Sequence, residues 1–344
     1  MKYVFELNHP KHYYQFKYVI KILERKGHSI LVLARDKDVL LKVLNEEHVP
    51  YKVFGRHEDS IRGKVFSSAS IIRNYRRIIK DFKPDVIISK ASLYGTLVAR
   101  LCGCRSIIFP DSEVVQLTNK IVVPMASMVI TPQSFALDFG PKHHRIDGLF
   151  EDCYLSPTIK TIDEEYPQKA GLKAPYAILR FVGWTANHDL NNNGFSLEEK
   201  VRLARELSKF LTVYISSEKE LPDKLKSYRL YTPPADIHDV LGNAELYIGD
   251  SQTMATEAAL LGTPAIRSNS FVGDHDMSNF IMLEKQYGLL LNIKDFETVL
   301  ATAVNFAEHS RKREWQDKRK HYYDKIGDVN AAIVRLIEAL SSFD

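Results

Sequence analysis

The sequence predicts an α/β protein built from two doubly wound parallel-sheet domains. Short apolar runs alternate with longer segments of helical periodicity, which is typical of a parallel sheet with helices on both faces. The alternation weakens into a polar, proline-containing stretch at about residues 140–175 and then resumes. With 344 residues, the chain also fits two domains of average size better than one. Two such sheets would present their loops to a shared cleft.

The predicted first domain covers residues 1–165, and its strands are KYVFEL, SILVLA, YKVF, DVIIS, SIIFP and MVIT. The segment 71–83 between YKVF and DVIIS predicts an amphipathic helix with one basic face. Its apolar face consists of Ile71, Ile72, Tyr75, Ile78, Ile79 and Phe82. Such a helix either packs on the core with a solvated basic face or contacts an anionic membrane surface or an anionic acceptor.

The predicted second domain covers residues 175–313, and its strands are YAILRFVG, LTVYISS, a short YRLY, ELYIG, PAI and GLLL. SLEE places Ser196 three residues before Glu199, which predicts a capping box at the start of a helix that runs to Phe210. Residues 314–344 are predicted to be helical and to pack back toward the first domain.

Composition and motif content exclude several classes of protein. Apolar residues make up 45% and charged residues 26%, as in a soluble globular protein. The N-terminal apolar run is too short for a signal peptide and no run of about eighteen apolar residues follows, so we expect a cytoplasmic location. A net charge of +4 is too mild to predict nucleic-acid binding. The absence of a P-loop, a G-x-G-x-x-G turn and a G-x-S-x-G elbow removes the main support for kinases, ordinary dinucleotide-binding enzymes and serine hydrolases.

Residues 249–266, GDSQTMATEAALLGTPAI, predict a strand, a turn of small polar residues and a helix whose first N–H groups face the turn. A helix N-terminus of this kind can hold a diphosphate without a metal ion. The candidate ligands in the turn are Asp250, Ser251, Gln252 and Thr253. Glu257, six residues beyond Ser251, could accept hydrogen bonds from a ribose diol. The alternative is a plain helix cap followed by a solvated glutamate.

Two other loops of the second domain offer groups for the same ligand. RFVGWTANHD contains Arg180, Trp184 and His188, of which the arginine could offset phosphate charge and the tryptophan could lie against a sugar face. PADIHDVL contains Ile237 and His238 and could offer backbone groups to a nucleobase. A core tryptophan and surface charges would explain the first loop equally well.

The first domain offers candidates for acid–base chemistry. His12 lies in the turn after the first predicted strand, where an imidazole could act as a general base toward an acceptor hydroxyl. Asp111 and Glu113 follow SIIFP and could divide acid and base roles or bind sugar hydroxyls. A structural role in each turn is the alternative. No third ligand of clear spacing accompanies His9 and His12, so no metal site is predicted.

Five segments, taken in order, resemble the GT-B superfamily of two-domain nucleotide-sugar enzymes, and most closely a family of unknown function within it, DUF354. They are HPKHYYQFK…LERKGH, DSEVVQLTNK…VITPQSF, GLFEDCYL, RFVGWTANHD and IHDVLGNAELYIGDSQTMATEAALLGTPAI. The resemblance implies that the C-terminal half binds the nucleotide sugar and the N-terminal half the acceptor. It also implies that Ser251 meets the diphosphate and that Glu257 takes the ribose hydroxyls.

Two families inside this superfamily imply different reactions. His12 resembles the first-turn histidine of the glycosyltransferase that adds N-acetylglucosamine to a lipid-linked peptidoglycan precursor, although NHPK replaces its glycine-rich turn. DSQTMATE also resembles a segment of the non-hydrolysing UDP-N-acetylglucosamine 2-epimerase, but the GTRPE and HRREN segments of that family are absent. We therefore expect a metal-independent glycosyltransferase that uses a UDP-sugar and a glycan or lipid-linked acceptor in cell-surface glycan or glycolipid synthesis. An epimerase and a non-catalytic nucleotide-sugar binding protein are the alternatives.

Overall fold

The computed structural model describes residues 1–36, 39–56, 61–181, 194–217, 220–273 and 276–341. The chain divides into two compact units, Met1–Tyr154 with Gly327–Asp344, and Leu155–Ile326. Each unit contains one sheet in which every neighbouring pair of strands is parallel. The predicted α/β class with two parallel sheets is confirmed. Among the described residues, no helix combines the length and the hydropathy needed to cross a membrane.

The first unit contains a seven-stranded sheet of order β3-β2-β1-β4-β5-β6-β7. Its strands are β1 (Lys2–Leu7), β2 (Ser29–Asp36), β3 (Tyr51–Arg56), β4 (Val86–Ser89), β5 (Arg105–Ile108), β6 (Met128–Pro132) and β7 (His143–Ile146). Its helices in the N-terminal part of the chain are α1 (Pro10–Arg25), α2 (Leu40–Glu46), α3 (Ile61–Phe82), α4 (Leu93–Cys102), α5 (Gln116–Met125) and α6 (Asp152–Leu155). β4 and β6 are buried along their whole length, as expected for strands covered on both faces.

The amphipathic helix predicted in the first unit is α3, and its apolar face packs into the core. Ile71, Tyr75 and Ile79 are at most 3% exposed and belong to a cluster that also contains Val4 and Phe54. The basic side chains of the same helix from Arg73 onward are exposed to solvent. Packing against the core therefore explains the apolar residues of α3 but not its basic residues.

The second unit contains a five-stranded sheet of order β12-β11-β10-β8-β9. Its strands are β8 (Tyr176–Arg180), β9 (Thr212–Ser216), β10 (Leu246–Gly249), β11 (Ala265–Arg267) and β12 (Leu291–Asn292). Its helices are α7 (Tyr166–Lys169), α8 (Leu197–Leu207), α9 (Ile237–Asn243), α10 (Gln252–Leu260), α11 (Ser278–Ile281), α12 (Phe296–Glu308) and α13 (Lys312–Tyr323). The capping box of Ser196 and Glu199 is confirmed at α8. The short strand predicted at YRLY is reduced to an isolated bridge between Arg229 and Ile215.

The C-terminal helices are split between the two units. α13 belongs to the second unit, where Lys312 Nζ donates to the carbonyl oxygens of Gly242 and Ala244 and to Thr263 Oγ1, each at 2.7 Å. The last helix, α14 (Val329–Ser341), returns to the first unit. There Asn330 Nδ2 donates to the carbonyl oxygen of Cys153 at 2.9 Å.

Replacing Lys312 should destabilise the second unit, because three buried or partly buried oxygens lose their donor at once. We expect Lys312→Met to lower the free energy of unfolding by about 2–4 kcal/mol. Urea denaturation followed by circular dichroism measures this change. Lys320→Met is the matched control, since Lys320 lies on the same helix with its side chain exposed. Equal stability of the two variants would show that Lys312 does not anchor α13.

Candidate functional site

Each sheet has one place where the winding direction of the chain reverses. In the second unit this place lies between β8 and β10, which are neighbours although β9 separates them in sequence. In the first unit it lies between β1 and β4. Ligands of open α/β sheets bind outside the carboxyl ends of the strands at such reversals. Arg180 ends β8 and Ser251 follows β10, while His12 follows β1, so the sequence candidates lie at both places.

The ends of β8 and β10 approach each other closely. The N–H of Asp250 donates to the carbonyl oxygen of Arg180 at 3.1 Å. A Cβ atom on Gly249 would lie 2.3 Å from that same oxygen, a distance that no side chain can occupy. Only glycine therefore permits this approach, which brings Arg180 next to the start of α10.

The predicted helix start after β10 is present as the N-terminus of α10. Ser251 is its N-cap residue, and the Ser251 hydroxyl accepts the N–H of Met254 at 3.4 Å. Ser251, Gln252 and Thr253 are partly exposed, and the first N–H groups of a helix have no partner in the preceding turn. The end of α10 has the form of an anion-binding site, with donors and a positive dipole end.

Glu257 and His238, which come from different sequence motifs, meet in the second unit. Glu257 is 6% exposed, and its Oε1 lies 3.4 Å from Nε2 of His238, which is 8% exposed. His238 belongs to the first turn of α9, the helix that begins at Ile237. Glu257 is thus not the solvated helix charge of the alternative interpretation. A buried carboxylate beside an imidazole has a fixed orientation and keeps acceptor capacity for a ligand.

Two cationic side chains, Arg180 and Lys200, are further polar groups near the reversal of the second sheet, and sequence reasoning missed Lys200. Arg180 Nη1 donates to Ser216 Oγ at 3.3 Å. Lys200 is 6% exposed, its Nζ lies 5.3 Å from the centroid of the Phe181 ring, and burial lowers the pKa of Lys200 while Asp250 raises it. The signal available in the sequence was a lysine on the apolar side of the helix that SLEE begins. Trp184 and His188 lie outside the described residues.

His12 in the first unit is a neutral imidazole with one nitrogen already occupied. Burial, and then the positive charge of Lys90, hold the pKa of His12 well below its usual value. The N–H of Asn8 donates to His12 Nδ1 at 3.2 Å, and Asn8 Nδ2 donates to buried Glu6 at 2.8 Å. Because Nδ1 accepts, the proton of the neutral ring lies on Nε2. His12 therefore presents a hydrogen-bond donor on its other side, which is not the form that a general base requires.

A cluster of charges surrounds Asp111 at the same edge of the first sheet. Lys90 follows β4, its side chain is 2% exposed, and its Nζ lies 3.3 Å from Asp111 Oδ2 and 3.9 Å from the centroid of the Phe150 ring. Lys11 Nζ lies 2.9 Å from Glu151 Oε1 and 3.9 Å from Asp111 Oδ2. Sequence reasoning missed Lys90, because a single lysine after a strand carries no distinctive pattern.

The charges of this cluster shift one another's protonation. Burial lowers the pKa of Lys90 to about 8, although Asp111 acts in the opposite direction. Partial desolvation raises the pKa of Asp111, but the positive charges of Lys90 and Lys11 outweigh it and hold that pKa below its usual value. Asp111 is consequently an ionised carboxylate that is also 42% exposed, so it can reach a ligand.

Glu113, the second predicted carboxylate, is directed to a different loop. Its Oε1 accepts the N–H of Ala136 at 3.2 Å, in the loop after β6. The structure thus brings His12, Lys90 and Asp111 together and links Glu113 to the loop after β6. Within the described residues, no group of three or more His, Cys, Asp or Glu side chains could hold a metal ion.

Two Rossmann-like units, each with polar side chains at its reversal, have the architecture of the GT-B fold. A family model described as "Protein of unknown function (DUF354)" matches residues 2–149 of this chain. The chain is also 24% identical over 275 residues to an uncharacterized protein of Methanocaldococcus jannaschii, which covers 76% of this chain and 80% of that protein. The predicted resemblance to DUF354 is confirmed.

Solved structures give the same fold at low sequence identity. The chain is similar to UDP-GlcNAc 2-epimerase from M. jannaschii, with a TM-score of 0.72 and 16% identity over 98% of this chain and 100% of that chain. A second structure of that epimerase, in complex with UDP-GlcNAc and UDP, has a TM-score of 0.70 and 14% identity over the same shares. MurG from Acinetobacter baumannii has a TM-score of 0.61 and 16% identity over 98% of this chain and 100% of that chain. These likenesses concern the fold.

Removing the Asp111 carboxylate should destabilise the protein in a pH-dependent way. Burial lowers the folded-state pKa of Lys90 to about 8, below its unfolded value of about 10.4, so charged Lys90 opposes folding. Below about pH 8 the attraction of Asp111 reduces this cost, whereas above that pH Lys90 is neutral in the folded protein and Asp111 no longer contributes. Without its partner, Lys90 has a still lower pKa. We expect Asp111→Asn to cost about 1–2 kcal/mol at about pH 6 and clearly less at about pH 9.

Urea denaturation at the two pH values measures the difference. Asp111 is ionised in both the folded and the unfolded protein over this range, so its own titration does not contribute. Asp81→Asn, at an exposed position of the same unit, is the control and should show no such trend. A loss of stability that does not depend on pH would mean that Asp111 does not hold the charge of Lys90.

Proposed function

We propose that this protein is a glycosyltransferase that takes a sugar from a nucleotide-diphosphate sugar, a UDP-sugar, and transfers it to an acceptor hydroxyl. The observation that carries the proposal is the buried Glu257 beside His238, six residues beyond the N-cap of α10 at the reversal of the second sheet. This arrangement pairs an anion-binding helix end with a fixed carboxylate at the distance of roughly two helical turns. A diphosphate and a ribose diol are complementary to these two elements.

The second unit binds the donor in this proposal. The N–H groups at the start of α10, with Ser251, Gln252 and Thr253, hold the diphosphate, and Arg180 offsets its charge. Glu257 accepts hydrogen bonds from the ribose hydroxyls, and His238 keeps its carboxylate in place. Asp250 positions Lys200, and the backbone at Ile237 faces the nucleobase.

The first unit binds the acceptor, and Asp111 is the base. Its carboxylate takes the proton of the acceptor hydroxyl while that oxygen attacks the anomeric carbon of the donor. The bond between this carbon and the diphosphate oxygen breaks, and the helix end stabilises the charge on the leaving diphosphate. Neutral His12 donates from Nε2 to an acceptor oxygen, and Glu113 supports the neighbouring loop. The helix end supplies the charge stabilisation, so this scheme needs no additional cofactor.

A UDP-sugar 2-epimerase is the second candidate, because the similarity in fold is higher to the M. jannaschii epimerase than to MurG, with TM-scores of 0.72 and 0.61. The absence of GTRPE and HRREN favours transfer. A protein that binds a nucleotide sugar without chemistry is the third candidate. The acceptor we propose is a glycan or a lipid-linked sugar of cell-surface synthesis.

Glu257→Gln should weaken the binding of UDP by about 10-fold or more, since the charged acceptor for the ribose hydroxyls becomes a neutral amide. Isothermal titration calorimetry measures this affinity. With 2′-deoxy-UDP the wild-type protein and the variant should differ much less. Glu308→Gln, at an exposed helix position, is the control. Equal weakening for UDP and 2′-deoxy-UDP would remove the ribose assignment.

Incubation with UDP-sugars, followed by chromatography and NMR, separates the three candidates. Transfer releases UDP and joins the sugar to an acceptor or to water, epimerisation yields two sugars that differ at C2, and a binding protein leaves the donor intact. We expect UDP release, and we expect Asp111→Asn to slow it by about 100-fold or more while UDP affinity stays unchanged. Full turnover in Asp111→Asn would show that another group is the base.

A further inference from the structure

A groove of about 1070 Å³ lies in the first unit, at the edge of the sheet opposite to His12 and Asp111. It is lined by the C-terminal half of α3, by the end of α4, and by Asp85 and Arg105 at the starts of β4 and β5. His12 and Asp111 follow the carboxyl ends of parallel strands, whereas this groove is built at their amino ends. It is therefore separate from the place where we put the acceptor.

One wall of the groove is a stripe of cations on α3. Arg73, Arg76, Arg77 and Lys80 follow the spacing of one helical face and are all exposed, and Lys83 continues the stripe. The four helical positions extend over about 10 Å along the helix axis. Among the residues that line the groove, Asp85 is the one acid. The residues that line this surface therefore carry a net positive charge.

Helix stability alone does not explain this stripe. Cations near a helix C-terminus are favoured by the dipole only within the last turn, which accounts for Lys80 and Lys83. Arg73, Arg76 and Arg77 lie farther back, and like charges at these spacings repel one another. An external anion would offset this repulsion, so the stripe indicates a negatively charged partner.

The other wall of the groove favours a lipid surface over a nucleic acid. Leu101, at the end of α4, is 50% exposed, and Ile72 is partly exposed beside the stripe. No aromatic ring is among the residues that line the groove, and stacking on aromatic rings is the usual way to bind single strands. Cations next to an exposed aliphatic side chain suit the boundary between headgroups and acyl chains.

We infer that this groove is the surface with which the protein binds an anionic lipid bilayer. Phosphate headgroups lie along the stripe from Arg73 to Lys83, and Leu101 contacts the acyl boundary. The inference does not depend on the proposed reaction, because the groove is separate from both candidate sites. It is tested on the complete protein with vesicles, without any nucleotide sugar.

Vesicles of phosphatidylcholine with and without phosphatidylglycerol are the probes, and co-sedimentation measures the partition of the protein. We expect binding to the phosphatidylglycerol vesicles that weakens as salt rises. The triple variant Arg73→Gln, Arg76→Gln, Arg77→Gln should bind these vesicles about 100-fold less well, since each cation near the surface contributes about five-fold. Leu101→Ser should weaken binding further at high salt, where the apolar contact dominates.

Two further variants make the result specific to the groove. Lys224→Gln, Lys294→Gln, Arg313→Gln removes the same net charge from exposed positions of the second unit and should keep most of the binding. The triple Arg-to-Lys variant at 73, 76 and 77 should also keep it. Equal binding to both kinds of vesicle, or equal losses in the two Gln triples, would overturn the inference. Tighter binding to single-stranded DNA than to anionic vesicles, lost in the groove variant, would assign the groove to nucleic acid instead.

Discussion

The backbone contact between the ends of β8 and β10 is the constraint on which the candidate site of the second unit depends. Gly249 has no Cβ, so the Asp250 N–H can reach the carbonyl oxygen of Arg180, and α10 starts at this point. The direction of α10 in turn places Glu257 against His238. A side chain at residue 249 would separate the two strands, and the helix end, the arginine and the glutamate would no longer belong to one site.

The reversal in the first unit is equally tight but differs in its electrostatics. A Cβ on Gly95 would lie 2.3 Å from Oε2 of Glu6, a fully buried side chain whose pKa is raised by burial. Through Asn8 this carboxyl group is linked to the turn that fixes the tautomer of His12. Around Asp111 the positive charges of lysines offset the negative charges of carboxylates, whereas the N-terminus of α10 offers backbone N–H groups as hydrogen-bond donors.

A shared fold leaves the reaction open, because proteins with the same fold can catalyse different reactions. The chain is similar in fold to an epimerase and to MurG at 16% identity each, which is too low to transfer a mechanism. The evidence that distinguishes them lies in particular side chains. These include Asp111, which is exposed and lies 3.3 Å from buried Lys90, and His12, whose Nδ1 accepts the N–H of Asn8.

Local patterns in the sequence were enough to predict most strands and helices, the capping box at Ser196 and the helix start at Ser251, because periodicity and caps depend on neighbours a few residues away. They missed β7 and predicted a strand at YRLY that is only an isolated bridge. The resemblance of five segments to the GT-B superfamily predicted the GT-B fold, and the spacing after Ser251 selected Glu257 as a candidate. Only the tertiary structure decided that Glu257 meets His238, that Lys90 meets Asp111, and that α13 stays with the second unit. These contacts depend on which strands become neighbours, and residues far apart in sequence meet only after that pairing is set.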